Sequence, residues 1–289
     1  MKIAHRILML LAMSALAIVF VTPLLFMVAS SFKSEDAIFS NIASLSAYMP
    51  SESWSLDNYR EIFSRSQLPS FLLNSAIIAS SVVVGGVLLN SMLAFALCRL
   101  RWGGRQAVLA FVVALLVVPF EVIAIPLLSL VARLPWPAIE HGALTLQTGW
   151  FNSLHVQIIP FLANAFCVFL FYQFFRDIPQ ELDEAAKMDG AGPWTLYWRI
   201  IMPNSGPVIA TAAIVLFIAA WNQYLWPIMV VQGTGARPVQ PGIQQFFGRS
   251  ESWGQIMAYA TVVTLPVLAV FLAFQRQFVA SVVGSGIKG

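Results

Sequence analysis

Charge is scarce in this sequence: 16 Lys and Arg with 13 Asp and Glu make up 10% of 289 residues, against 59% hydrophobic residues and a mean hydropathy of +0.79. Soluble domains carry about 25% charged residues, so a fold surrounded by water is excluded and lipid must act as solvent. Cysteine is equally sparse. Cys98 and Cys167 belong to no CxxC or Cys/His cluster, which argues against a disulfide framework or a zinc site. His5, His141 and His155 are isolated and read as surface or interface residues. No GxxxxGK[ST] segment occurs, so the chain has no P-loop for ATP. No nucleophile stands at useful spacing from a base, which speaks against an intramembrane enzyme, and neither an internal repeat nor a low-complexity tract is found.

What the sequence does have is long apolar runs. A stretch of about 20 such residues spans the hydrocarbon core as a helix, and only helices or closed barrels satisfy every backbone group there. Six runs qualify, near 7–31, 71–100, 108–132, 154–175, 208–231 and 256–279, and none alternates like a barrel strand. The expected fold is an all-α membrane protein with six transmembrane helices. Lys2 and Arg6 before the first run suggest a secretory signal, but its apolar character reaches Val28, too far for a cleaved core of about 7–15 residues; an uncleaved span is expected. Ten of the 16 basic residues, among them Arg99, Arg101, Arg105, Arg176, Lys187 and Arg199, fall on one side of the runs. That side should be cytoplasmic, with both termini there. The net charge of +3 reflects this asymmetry and gives no reason to invoke nucleic acid.

The connections differ in length. Residues 32–70, 133–153 and 232–255 should lie outside, whereas inside a tight turn at 101–105 contrasts with a long polar island at 176–206. Connections of about 15 residues or more usually carry function. Pro179 suits a helix start, Gly190 or Gly192 a left-handed end, Pro193 a second start and Pro203 its end. Leu182, Ala185 and Ala186 recur on one face of the first segment. Trp194, Tyr197, Trp198 and Ile201 do so on the second. Two short amphipathic helices bent at a glycine are expected, flat on the cytoplasmic surface. Glu184 offers a carboxylate, Ala185 and Ala186 permit close approach, and Gly190 permits a bend. A solvated hairpin without a partner would share these features.

The complete pattern, Glu184-Ala185-Ala186-x3-Gly190-x9-Ile200-x2-Pro203, resembles the EAA loop of ABC-importer permeases. Further segments are similar to the MalG-type carbohydrate permeases within that family. They are Ser31-Phe32-Lys33, Asp57-Asn58-Tyr59-Arg60, Asn74-Ser75, Val118-Pro119-Phe120-Glu121, Trp221-Asn222-Gln223-Tyr224-Leu225-Trp226-Pro227, Gln275-Arg276-Gln277-Phe278-Val279 and the terminal Gly286-Ile287-Lys288-Gly289. Met202 stands where the family usually has Leu, a nearly volume-conserving exchange.

The resemblance implies a first helix and external loop over 1–70, an importer permease domain over 71–279 and a cytoplasmic tail over 280–289. It implies a bacterial or archaeal inner-membrane assembly with a second, non-identical permease, an ATPase dimer that binds ATP and Mg, and an extracytoplasmic solute-binding protein. This chain itself would hold no cofactor or metal. Glu184, Ala185, Ala186, Asp189, Gly190, Ile200 and Pro203 would form the ATPase-docking loop, and the tail around Lys288 would reach toward the ATPase.

Residues of the solute path are less distinct. Glu121, an ionisable group within the third run, reads either as part of a path or gate or as a hydrogen-bonded strut. Trp221, Asn222, Gln223 and Tyr224 combine stacking surface with amides, as sugar recognition requires, yet aromatic residues also gather at membrane interfaces. Asn164 and Asn90 read as path residues or as glue between helices. The alternative function is a self-contained secondary transporter or channel, which needs coupling carboxylates within the spans; Glu121 alone is available.

Overall fold

The computed structural model describes residues 2–40, 44–49, 54–140, 143–247 and 252–286. Five of its helices are long and apolar enough to cross a membrane, and a sixth span results if one bent pair is taken together. The principal helices are α1 (Lys2–Ser30), α2 (Leu68–Arg99), the bent pair α3 (Arg105–Leu115) and α4 (Phe120–Val131), α5 (Ala165–Asp177), the short linking pair α6 (Glu181–Met188) and α7 (Pro193–Leu196), α8 (Gly206–Trp221) and α9 (Trp253–Gly286). By contact the chain divides into two compact units, residues 1–70 with 242–266 and residues 71–241 with 267–289.

In the first unit the loop after α1 is stapled by the side chains of its own motifs. Asn58 donates to the carbonyls of Ser31 and Lys33 at 2.9 and 3.0 Å, and the Ser31 and Tyr59 hydroxyls lie 2.7 Å apart. Phe32 packs on Trp54 and Tyr59 with ring centroids 5.0 and 5.1 Å away. Lys33 is buried, and its ammonium donates to the carbonyls of Ser46 and Ala47 at 2.9 and 2.8 Å. Burial lowers its pKa from the ordinary lysine value, because the charged form is harder to desolvate.

The second unit is organised around α2. Its N-terminal Asn74 donates to the carbonyls of Gly235 and Arg237, and Ser75 accepts from the Val239 amide. Near its middle, Gly85 and Gly86 let neighbours approach so closely that a Cβ would stand 2.7 Å from Leu162 and 2.9 Å from Leu216. One turn on, the Asn90 amide donates to the carbonyls of Gly86 and Leu162 and accepts from the Asn164 backbone at 2.8 Å. Asn164 in turn caps α5 by accepting from the Cys167 amide at 3.0 Å. A helix that starts inside lipid leaves its first amides without partners. Here two asparagines supply them. The fully buried Phe171 and Phe175 of α5 and Leu216 of α8 complete the core against α2.

Two departures from a simple bundle stand out. Between α3 and α4 the chain turns by 109° at residues 116–119, where Pro119 ends the helical ladder. After α4 an antiparallel hairpin, β1 (Pro135–Glu140) with β2 (Ala143–Thr148), pairs Pro135 with Thr148 and Glu140 with Ala143. The helical reading does not foresee this hairpin. The alternation Leu144-Thr145-Leu146-Gln147 is its sequence signal, although Pro135 and Pro137 obscure the first strand. Replacing Asn90 by Leu strands the Leu162 carbonyl and the Asn164 amide, so a loss of about 1–3 kcal/mol is expected, measured as a lowered thermal midpoint in detergent. An unchanged midpoint would remove Asn90 from the scaffold.

Candidate functional site

The polar island folds as a hairpin. The helix α6 carries Glu181, Asp183 and Glu184 in its first turn and Lys187 in its last, each charge placed favourably against the helix dipole. It ends in the two hydrogen bonds of a Schellman cap, Ala191 amide to Ala186 carbonyl at 2.9 Å and Gly190 amide to Lys187 carbonyl at 3.0 Å. Gly190 has φ +82, with open space where a Cβ would stand. The left-handed backbone, not crowding, is what requires glycine there. Pro193 opens α7, which runs into a π-turn at Tyr197–Ile201, closed by the Met202 amide on the Tyr197 carbonyl at 2.9 Å. Pro203 then begins a short 3-10 turn that leads into α8.

The one-sided set Leu182, Ala185 and Ala186 is divided in the fold. Asp183 and Ala186 point into the protein, while Leu182, Glu184, Ala185 and Met188 are exposed. A charged residue takes the inner position because Arg99, at the last turn of α2, waits for it. The Arg99 Nη1 lies 3.0 Å from Asp183 Oδ2, with only 3% and 7% of the two side chains exposed. Its Nη2 donates to the carbonyls of Phe175 and Ile178, both at 2.7 Å. One guanidinium thus joins the end of α2, two carbonyls at and just past the end of α5, and the first turn of α6. Arg99 Nε and Asp183 Oδ1 are buried without a hydrogen-bond partner.

The second arm is pinned separately. Tyr197 is buried against Phe95 with ring centroids 5.3 Å apart, and its hydroxyl lies 2.8 Å from the Ser91 hydroxyl of α2. Burial raises its pKa and the Ser91 hydrogen bond opposes that in part, so the phenol stays neutral at ordinary pH. The expected face of four residues is divided: Tyr197 and Ile201 are buried, whereas Trp194 and Trp198 are exposed. The extra residue of the π-turn changes the helical phase and permits this division. Ile200 is half-buried and Pro203 exposed, as is Asp189. Lys288 lies outside the described residues. Arg99 and Asp183 escape attention in the sequence, where one reads as a topogenic charge and the other as a flank of the motif.

The other singled-out residues fall elsewhere. Glu121 sits in the first turn of α4, exposed, just past the bend. Asn164 is the α5 cap. Trp221 ends α8, buried and stacked on Phe217 at 5.5 Å. Asn222 accepts from the Gln240 amide at 3.1 Å, Gln223 is half-buried, and Tyr224 is exposed. These four residues occupy the break between α8 and a short helix, Leu225–Val230, in which the buried Trp226 donates to the Val156 carbonyl at 2.9 Å. His155 is less isolated than its sequence position suggests, since its ring stacks on Trp136 at 3.7 Å and meets the Trp150 ring edge-on. Among the described residues no group of three His, Cys, Asp or Glu is placed to hold a metal.

Comparison with known proteins agrees with this architecture. The chain is 30% identical over 294 residues to the trehalose/maltose transport system permease protein MalG of Thermococcus litoralis, covering 100% of this chain and 99% of that protein. It is 35% identical over 238 residues to the trehalose transport system permease protein SugB of Mycobacterium tuberculosis, covering 81% and 82% of the two chains. It is 33% identical over 217 residues to the sn-glycerol-3-phosphate transport system permease protein UgpE of Yersinia enterocolitica, covering 74% and 72%. A chain in the crystal structure of a bacterial ABC transporter that imports the acidic polysaccharide alginate superposes with a TM-score of 0.78 at 19% identity, over 94% of this chain and 96% of that one. Residues 86–284 match the binding-protein-dependent transport system inner membrane component family. A multi-pass inner-membrane chain with this hairpin, matched by that family over more than half its length, belongs to it.

Proposed function

We propose that this chain is a permease subunit of a binding-protein-dependent ABC importer for a carbohydrate or a polyol phosphate, with ATP hydrolysed on separate ATPase chains. The observation that carries the coupling role is the hairpin. Two buried polar contacts, Arg99 to Asp183 and Tyr197 to Ser91, fix it to α2, while Glu184, Leu182, Met188, Trp194 and Trp198 are left exposed. Met188 is 88% exposed and Trp194 62%. Large apolar side chains this open, beside a carboxylate, suit a protein interface. In this reading they seat in a cleft of the ATPase, where Glu184 meets a basic residue. ATP closure then moves the hairpin as a lever, and Gly190 sets its angle. The excess of Lys and Arg on the hairpin side supports a cytoplasmic hairpin and cytoplasmic termini.

The names of the relatives support the solute class: trehalose and maltose for MalG, trehalose for SugB and sn-glycerol 3-phosphate for UgpE. A structural neighbour at TM-score 0.65 was crystallised with a periplasmic protein carrying alginate pentasaccharide, in keeping with solute delivery by an external binding protein. The second permease, non-identical by resemblance to MalG-type systems, completes the path. Trp221, Asn222, Gln223 and Tyr224 line it in this reading, with Glu121 and Asn164 nearer its bends. Mild-detergent purification should yield an ATPase, a second permease and a binding protein together. A lone chain that catalyses ion-coupled uptake after reconstitution would instead identify a secondary transporter.

Replacing Glu184 by Leu or Gly190 by Val should uncouple solute-stimulated ATPase activity while the assembly still inserts. The glycine change carries about 1–2 kcal/mol of left-handed backbone strain, and Gly190→Asn should be milder. Normal uptake in both Glu184→Leu and Gly190→Val would eliminate the lever. Asp183→Ala leaves the Arg99 charge buried and unpaired, which costs about 3–5 kcal/mol. Its signature should be faster proteolysis of the 178–204 segment and lost coupling. A variant that resists protease as wild type does would show that the ion pair is dispensable.

A further inference from the structure

Beneath the second span lies a cleft that the transport reading leaves unused. It has a volume of ≈ 220 Å³ and is lined by Arg99, Arg105 and Arg176 together with Gln106, Tyr172 and Gln180, with Leu97, Cys98 and Leu109 behind them. No carboxylate lines it. Asp183 neutralises Arg99 from the hairpin side, and Arg105 spends one contact, at 3.3 Å, on the Leu100 carbonyl. Arg176, exposed, makes no side-chain hydrogen bond or ion pair among the described residues. Asp177 follows it, also exposed, and does not line the cleft. Arg99 is itself a wall of the cleft, and its buried Nε has no acceptor. The cleft therefore holds an excess of positive charge, with amide and phenol groups around it and no internal anion to balance it.

Its position follows from the turn between α2 and α3. Gly104 has φ +90, and Trp102 donates back to the Ala96 carbonyl at 3.0 Å, so the first turn of the 11-residue α3 comes up beside Arg99. The amides of that turn add to the positive field. Beyond Leu109, α3 shows exposed apolar side chains, Phe111 at 63% among them, and the exposed Trp102 is of the residue type that gathers at membrane interfaces. An occupant would have its charged part among guanidiniums and could run an apolar part along α3.

We infer that this cleft binds an anionic phosphate group, supplied either by the headgroup of an anionic phospholipid in the leaflet on the hairpin side or by free phosphate. Guanidinium pairs recognise phosphate oxygens bidentately, and basic clefts between spans at this depth are fit for anionic headgroups. Arg176, together with the Arg105 donors not spent on the Leu100 carbonyl, would hold the oxygens, with Gln106, Gln180 and Tyr172 donating. Arg99 keeps its structural role.

The test uses the intact importer in nanodiscs of equal phosphatidylglycerol and phosphatidylcholine, with retained lipids counted by native mass spectrometry. Wild type should retain phosphatidylglycerol over phosphatidylcholine by roughly tenfold or more. R105Q/R176Q should lose that preference, R105K/R176K should keep most of it, and Arg133→Gln, on a different loop, should leave it intact. A second arm adds millimolar inorganic phosphate to the detergent-solubilised assembly. A thermal shift present in wild type and absent in R105Q/R176Q, without any lipid preference, would assign the site to free phosphate. If neither lipid retention nor the phosphate shift depends on these two arginines, the inference is overturned.

Discussion

A cation and an anion withdrawn from water at the end of a transmembrane helix fix the hairpin to that helix. Arg99 and Asp183 meet at 3.0 Å with almost no solvent contact, and the same guanidinium satisfies two carbonyls where α5 runs out. Such a pair is a weak source of net stability, since desolvation offsets much of the attraction. Its value is in position. An arginine can satisfy several acceptors only in one geometry, so the angle between α2, the end of α5 and the first turn of α6 is fixed by one side chain. Tyr197 and Ser91 fix the other arm of the hairpin in the same way. A hairpin made of eight helical residues and a glycine turn is stiff only if its root is clamped.

The same economy of polar groups recurs through the lipid-facing part of the second unit. Helices that start, stop or bend inside hydrocarbon must find partners for their free backbone groups. Asn90 and Asn164 meet this need where α5 begins, Trp226 answers the Val156 carbonyl, and Asn74 with Ser75 anchors residues 235–239. These polar residues are few, and each has a traceable task. The low charge content of the chain is therefore not a lack of specificity; a handful of side chains fixes what a larger number share in soluble proteins.

Much of this was legible in the residues. Hydropathy located the spans because backbone satisfaction in lipid leaves so few alternatives, and glycine and proline marked the hairpin because only they fit its turn and its second start. Which face of α6 turns inward was not legible: Leu182, Ala185 and Ala186 recur on one face, but the partner that decides the matter, Arg99, is 84 positions from Asp183 and reads locally as a topogenic charge. The β-hairpin escaped because Pro135 and Pro137 mask its first strand. The 109° bend was written in Pro119, but its size depends on packing that no local pattern encodes. For Trp221 to Tyr224 the position at a helix break is clear, and a role in the solute path is not written in this chain alone.

The central claim is that hairpin and second span move as one body. Spin labels at exposed Lys187 on α6 and Leu93 on α2, with Cys98 and Cys167 replaced by alanine, report the distance between them by double electron–electron resonance in the reconstituted importer, with and without trapped ATP. The account predicts one narrow distance distribution common to both states, while the distance from Lys187 to the second permease changes. A Lys187 to Leu93 distance that shifts with nucleotide would mean that the hairpin swings independently of the helix it is meant to drive.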